Sequence, residues 1–481
     1  MVSLTAKHMA FELPRVEVDV KHQPEHILEG FAARYRERTA KSAAHYHRCA
    51  RVMPAGVSSN LRAWEPYPLY FTHADGNRIW DLDGNEYLDC SAAQGVLVVG
   101  HRNPIVLEAV RRQLDRATVV GASHPLECEL CELIIERYPC HDQVRLTNSG
   151  SEAVAHAVRL ARAATGRDKI LKVEGTYHGN YDALMVSFTP QLEDAGSSGR
   201  PNRVPITAGL TAGSIADTVV FPFNDPEALE ECLTEHSGCV AAVILEPVIL
   251  NMGCTPPKPN YLARVRDLCN KNGVLLIFDE AKSGAKIAYG GGPEYSGVTP
   301  DITCLAKAIG GGFPIGALAA SQDLMRLIVS GKVWQTGSFA ANPVSVAAGI
   351  ATLRDAMSRA VYPRLFGLNQ RLAEGYRAAI RRHRTEACAQ TAGVTGAVFF
   401  AHGPVHNYRD ACKASYEAFM VYWYGMLEHG IMPQTYGRDD AWTLTLAHTE
   451  QDIDNIVSAF EDVSDQIAAV QDQPASCGTS K

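Results

Sequence analysis

Ile277-Phe278-Asp279-Glu280 closes one apolar run of this chain, and Leu305-Ala306-Lys307-Ala308-Ile309-Gly310-Gly311-Gly312 closes another. The first run, from Gly273 to Phe278, ends in an acid. The second, from Asp301 to Ala306, ends in a lysine that a glycine run follows. Both read as strands. In an open α/β sheet the ends of successive strands face one crevice, so the acid and the amine can meet there. Such a pair suits pyridoxal phosphate: the amine can form a Schiff base with the aldehyde, and the carboxylate can keep the pyridine nitrogen protonated so that the ring withdraws electrons. Each half alone also has a plain reading. An acidic pair after a strand is a common loop start or helix cap, and a lysine before glycines is common at surface turns. Their order, their placement on strands and the surrounding motifs favour the chemical reading.

Outward from these runs, helices and strands alternate from about residue 105 to 350. The strands expected are Gln143–Thr147, Lys169–Val173, Thr218–Pro222, Ala241–Glu246, Val274–Phe278, Ile302–Ala306 and Ala317–Ala320. Most lack alternation, which suits strands buried on both faces. Helical patterns such as Glu152–Thr165 and Tyr261–Asn272 separate them. The rhythm predicts a mainly parallel sheet with right-handed crossovers. The Gly-, Pro-, Ser- and Thr-rich stretch 187–214 breaks the rhythm and reads as a structureless insertion, either a lid over a site or a plain surface loop.

On either side the pattern differs. Residues 1–45 read as an N-terminal extension, helical from about Pro24 to His47. Leu69–Asp89 reads as three strands joined by Asp-Gly turns. After 350 come long helices with strands at Ala397–Ala401 and Thr443–Leu446, then a polar, disordered tail from Asp472. The organisation expected is thus an extension (1–45), the N-terminal part of a small domain (46–110), a large cofactor-binding domain (111–350) and a C-terminal small domain (351–481). At 481 residues the chain is long enough for two or three domains.

Composition narrows the partners. Hydrophobic residues make up 46% and charged residues 20%, as in ordinary globular enzymes. A net charge of -8 gives no reason to expect nucleic acid or an anionic membrane. Glu246 and Asp279 interrupt the longest apolar stretches before they reach a membrane span. The first residues, MVSLTAKHMAFELPRVEVDV, lack the basic-then-apolar design of a signal peptide. With 13 scattered cysteines this points to free thiols in the cytoplasm. Cys128 and Cys131 form a C-x-x-C within a helical pattern; no second pair has matching spacing, and a structural role is expected rather than a metal site.

Two further segments flank the crevice. Asn148-Ser149-Gly150-Ser151-Glu152-Ala153 joins a strand to a helix, whose first turn offers unpaired N–H groups and a positive dipole end. Gly150 admits a phosphate, and Ser149 or Ser151 adds a hydroxyl; a simple serine cap explains the pattern equally well. Glu174-Gly175-Thr176-Tyr177-His178-Gly179 ends the next strand. Its aromatic residues suit either ring stacking or core packing.

The run from Arg145 to Gly179 (RLTNSGSEAVAHAVRLARAATGRDKILKVEGTYHG) resembles the class III, fold-type-I pyridoxal-phosphate aminotransferases, most of all the glutamate-1-semialdehyde 2,1-aminomutase branch. The likeness continues through AAVILEPVILNMGCTPPKP, LLIFDEAKSGAKIAYGG, GVTPDITCLAKAIGGGFPIGA and GSFAANPVSVAAGIATL, from about Arg51 to Val457. It implies a large domain with a mainly parallel seven-stranded sheet and a smaller α+β domain. It implies that Lys307 carries the cofactor, Asp279 pairs with the ring nitrogen and Tyr177 stacks on the ring. His178 lies beside these residues, and Ala281 covers the opposite ring face. Ser149, Gly150 and Ser151 serve the phosphate, Asn251 lies near the ring oxygen, and Glu246 holds the network behind Asp279. Ser338 matches a family threonine that reaches the neighbouring subunit's phosphate, which implies a homodimer with shared sites.

Pro54-Ala55-Gly56-Val57-Ser58-Ser59-Asn60-Leu61-Arg62 is similar to a family segment that binds a substrate carboxylate. Arg62 is therefore the substrate-binding candidate, with Ser59 beside it; a guanidinium suits two parallel charge-assisted bonds. The plain alternative is a surface salt bridge. The substrate side departs from the aminomutase branch in three places. Gln94 replaces its tryptophan, Asp439-Asp440-Ala441-Trp442-Thr443 replaces its F-E-A-G-F element, and Ala281-Lys282-Ser283-Gly284-Ala285-Lys286 replaces V-x-[TS]-G-F-R. The expectation is an aminotransferase working between an amino acid, or related carboxylated amine, and a 2-oxo acid. The alternatives are the aminomutase, a racemase or epimerase on the same scaffold, or a binding subunit without catalysis.

Overall fold

The computed structural model describes residues 24–437 and 440–471. The extension before Pro24, the tail from Asp472 and Asp439 lie outside the described residues. Seven strands form the large sheet, in the order Gln143–Thr147, Gly316–Ala320, Ile302–Ala306, Leu275–Glu280, Val240–Leu245, Lys169–Val173, Thr218–Phe221. Gly316–Ala320 runs antiparallel to both its neighbours, and the other pairings are parallel. Val240–Leu245 is buried at every position, which is why its sequence is apolar without alternation.

The expected Val274–Phe278 strand is displaced towards its C-terminus. Asp279 and Glu280 remain in the ladder, registered against Cys304 and Leu305. Their side chains are polar, but their backbones still pair. The acid thus lies inside the strand end rather than after it.

The helix Gly150–Thr165 packs on this sheet. Ser149 caps it by accepting from Glu152 N–H, and Gly166, at φ 67°, ends it in a left-handed cap. Its buried face is largely small (Ala153, Val154, Ala157, Val158, Ala161), which brings its axis close to the strands.

The early and late parts of the described residues meet. Phe71–Asp75, Arg78–Asp81 and Glu86–Asp89 form a sheet with Ile431–Met432, which pairs in parallel with the last of them. One apolar core contains Phe31, Tyr35 and Leu88 together with Leu372, Trp423 and Ile453. A second small sheet joins Cys388–Ala392, Thr395–Phe399 and Trp442–Thr443. The first of these has no sequence signal of a strand, and the expected Ala397–Ala401 and Thr443–Leu446 strands begin and end earlier than their apolar residues suggest.

Two other expectations need correction. The single helix 24–47 is two, Pro24–Arg38 and Ala40–Cys49. Between them the buried Thr39 hydroxyl donates to Tyr35 O, and its φ of -127° breaks the helix. The insertion 187–214 is not structureless: Gly196–Ser197 pairs with Arg200–Pro201, and Ala212–Ala216 is helical. Ser187 anchors its base, accepting from Val204 N–H and donating to Asn202 O. Among the described residues no helix is long and apolar enough to cross a membrane.

Candidate active site

Lys307 follows its strand directly and opens the turn Lys307–Gly310 with φ 51°. A left-handed lysine is costly, and such strain collects where surrounding structure fixes a functional group. Burial, and then the nearby Lys282 cation, bring its amine down to about 8. On the adjacent strand Asp279 is buried. His178 Nδ1 lies 2.8 Å from Asp279 Oδ2, and Ala281 N–H donates to Oδ1 at 3.0 Å. Each carboxylate oxygen has one donor, which leaves further lone pairs. His178 is itself buried, and its Nε2 has no partner among the described residues.

The turn Gly175–Gly179 brings Tyr177 and His178 to this place. Tyr177 is half-buried, its hydroxyl donates to Asn180 Oδ1, and its ring lies 5.2 Å from that of Phe188. Asn251 Nδ2 donates to Tyr177 O (3.2 Å) and to Glu246 Oε1 (3.0 Å). The other oxygen of Glu246 accepts from Leu250 N–H. Glu246 thus orders Asn251 and its own loop, with no direct hydrogen bond to Asp279. Burial raises its pKa, and His178 partly offsets the rise.

At the helix start, Glu152 accepts from Asn148 N–H while Ser149 accepts from Glu152 N–H, so the cap expected as the plain alternative is formed. That cap leaves the Gly150 and Ser151 amides without intrahelical acceptors. A Cβ on Gly150 would stand 2.9 Å from Ala281 Cβ and 3.2 Å from Ala306 Cβ. Only glycine lets this helix start sit against the strand ends that carry Asp279 and Lys307. Ser151 Oγ accepts from Asn180 N–H, and a side chain on Gly179 would strike it.

The substrate-side candidates are more dispersed. Arg62 ends an exposed turn, Asn60–Arg62, whose first bond runs from Arg62 N–H to Ser59 O. Its guanidinium has no hydrogen bond or ion pair among the described residues. Ser338 is exposed in a loop that also exposes Trp334 and Phe339. Gln94 lies in a turn where Ala92, Ala93, Gln94 and Gly95 have φ of 45°, 52°, 62° and 73°. Each such residue with a side chain costs about 1–2 kcal/mol. Asp89 grips the start of this turn, accepting at Oδ1 from Ser91 N–H, Ser91 Oγ–H and Ala92 N–H. The other oxygen of Asp89 lies 2.7 Å from His101 Nε2.

Sequence reasoning marked Lys282 and Lys286 only as departures from a pattern. In the structure Lys282 Nζ pairs with Asp440 Oδ1 at 2.6 Å, both side chains largely buried. Burial raises the Asp440 pKa, but Lys282 outweighs it and the net shift is downward. Lys286, also buried, donates to Gly95 O at 3.2 Å. The available signal was two lysines four residues apart in an otherwise apolar, glycine-containing stretch. A cavity of about 400 Å³ adjoins Asn251 and Gly175, between the base of the insertion (Phe188, Leu192) and Phe399.

Residues 61–463 match the model of the aminotransferase class-III family. The chain belongs to that family. It is 41% identical to a glutamate-1-semialdehyde 2,1-aminomutase of Sorangium cellulosum (strain So ce56), over 88% of this chain and 96% of the relative. Among solved structures it is similar to an omega-transaminase from Sphaerobacter thermophilus, with TM-score 0.85 and 34% identity over 90% of this chain and 99% of that one. A transaminase with PLP bound aligns with TM-score 0.80 and 32% identity, again over 90% and 99%. The fold is that of the fold-type-I pyridoxal-phosphate enzymes, and the chain is a pyridoxal-phosphate-dependent member of the class. The residues present fit this cofactor: a low-pKa amine, a buried carboxylate and free helix amides, with a glycine where a Cβ would close the gap.

Proposed function

We propose that this chain moves an amino group from a carboxylated amine to a carbonyl carbon, with Lys307 as covalent anchor and proton carrier and Asp279 as the anion facing the ring nitrogen. The observation that carries this reading is the placing of the Lys307 amine, directly after the strand that pairs with that of the buried Asp279; burial brings this amine down to about 8. Bound pyridoxal phosphate supplies an aldehyde for the amine and a cationic ring that accepts electrons. Lys307 Nζ takes the proton from the amine-bearing carbon. With a pKa of about 8, about one amine in ten is neutral at pH 7, against fewer than about one in a thousand at the ordinary value of 10.5. His178 orients Asp279 through Oδ2, and Ala281 N–H does so through Oδ1. Gly150 and Ser151 would hold the phosphate, Tyr177 and Ala281 would contact the ring, and Asn251, ordered by Glu246, would add a polar contact to it. Arg62, whose guanidinium has no partner among the described residues, receives the substrate carboxylate, helped by Ser59 and Gln94. Ser338, beside exposed Trp334 and Phe339, completes the site of a second copy, so the working unit is a homodimer.

Two forms of the reaction are open to this machinery. Identity to the Sorangium relative favours the intramolecular form, conversion of glutamate-1-semialdehyde to 5-aminolevulinate. The Lys282–Asp440 pair and Gln94, on the substrate side, favour transfer between two molecules, which is our first reading. The deciding experiment supplies glutamate-1-semialdehyde without an oxo acid and measures 5-aminolevulinate. In parallel, a panel of carboxylated amines is scored for pyridoxamine phosphate. Efficient 5-aminolevulinate formation selects the intramolecular form; pyridoxamine phosphate from other amines, discharged by a 2-oxo acid, selects transfer.

A further inference from the structure

The Ala92–Gly95 turn is left-handed at four successive residues and strained at the three that carry side chains, Ala92, Ala93 and Gln94. Such a shape persists only where several contacts fix it. Asp89 fixes the beginning. Within the turn Gly95 N–H donates to Ser91 O, and Val96 and Leu97 N–H both donate to Ala92 O. At the far end, the amine of Lys286 donates to Gly95 O. A Cβ on Gly95 would stand 2.4 Å from that nitrogen, so turn and amine are in close contact. The Lys286 backbone is held as well: its carbonyl accepts from Val394 N–H and its own N–H donates to Ser283 O. Burial, and then the positive neighbours Lys307 and Lys282, push the Lys286 amine well below its ordinary pKa. Lys286 is therefore in direct contact with the turn that carries Gln94 and within electrostatic reach of Lys307.

We propose that Lys286 is a positioning residue for substrate recognition: through Gly95 O it holds the left-handed turn in the shape that presents Gln94 to the crevice. The inference rests on the reading of this crevice as the pyridoxal phosphate site. Lys286 touches neither cofactor nor substrate. It acts through the turn, so its loss weakens substrate capture and leaves the anchor and base in place.

The test uses the holoenzyme and its best amine from the panel. Lys286→Met is expected to raise KM about ten-fold, with kcat and bound pyridoxal phosphate (read by absorbance) within about two-fold of wild type. Lys286→Arg, which keeps a donor at the end of a long side chain, is expected to recover most of the loss. Gln94→Ala should raise KM to a similar extent, and the double variant should be no worse than either single one, because both act through one element. Loss of cofactor or of kcat at unchanged KM in Lys286→Met would overturn the proposal, as would multiplicative effects in the double variant. If Lys286→Met does not fold, Gly95→Ala, whose methyl displaces the Lys286 amine, takes its place: a raised KM supports the proposal and an unchanged KM overturns it. Wild-type protein that takes up no pyridoxal phosphate would overturn the underlying reading, and the proposal with it.

Discussion

The two sides of the crevice are built on different principles. The side proposed to hold the cofactor is made of strand ends and one helix start, fitted together by small residues: Gly150 against Ala281 and Ala306, and Gly179 against Ser151. The side proposed to meet the substrate is made of turns and loops, held by charged and strained groups: the Ala92–Gly95 turn, the Lys282–Asp440 pair and the buried Lys286. A surface built from a regular sheet changes only if its strands change. One built from turns and ion pairs can be re-specified by single substitutions, so one cofactor chemistry can serve many amines.

This contrast is sharpest at Lys307. Lys307→Ala is expected to lower turnover by about 10⁴-fold or more and to retain cofactor poorly, because one group is both anchor and base. Borohydride reduction of wild type followed by peptide mapping should place the label on Lys307; a label on Lys282 or Lys286 would erase the division between the two sides. Asp279→Asn should still bind pyridoxal phosphate but lose about 10²–10⁴-fold in single-turnover proton abstraction, since an amide cannot support a cationic ring as a carboxylate does. Near-normal transfer by this variant would assign the ring nitrogen to another group.

On the substrate side, Asp440→Asn leaves Lys282 without its buried counterion and should cost about 3–5 kcal/mol in denaturant unfolding. The pair also carries a pH signature. Asp440 has a lowered pKa in the folded chain, so its stabilisation is present above the unfolded carboxylate value and is lost as pH falls through the folded one. Unfolding midpoints of Asp440→Asn and wild type should therefore converge in acid. Arg62→Ala should lower kcat/KM for carboxylated amines about 30- to 1,000-fold and spare simple amines. Equal loss on both would make this arginine a support of the fold. The smallest effect is a titration. Cofactor-free protein should take up pyridoxal phosphate about ten-fold faster per pH unit until about pH 8, then level off, because only the neutral Lys307 amine attacks. A flat profile below that pH would show that Lys307 is not the titrating group.

The same contrast explains what was legible in the sequence. Strands such as Val240–Leu245 announce themselves because burial on both faces requires an unbroken apolar run. The acid and lysine at their ends were therefore placed to within two residues. At Asp279 and Glu280 polarity does not end the pairing: Glu280 is fully buried and accepts from Gly292 N–H. Ala-Ala-Gln carries no mark of a left-handed turn; the contacts on it come from Asp89 just before it and from Lys286, far along the chain. Likewise Cys388–Ala392 is a strand because Thr395–Phe399 pairs with it, not because its residues favour one. Lys286 could be noticed as unusual, but its partner could not be read from one dimension.

The pairing of Ile431–Met432 with Glu86–Asp89 imposes an order of assembly. A chain leaving the ribosome presents the first three strands of that sheet early and completes it only when most of the chain has emerged, whereas the large sheet has all its strands by Ala320. The early segment, with the Ala92–Gly95 turn immediately behind it, must wait for partners such as Ile431 and Thr443, whose N–H donates to Cys90 O. A nascent chain thus has every strand of the half proposed to hold the cofactor before it has the last strand of the half proposed to choose the amine.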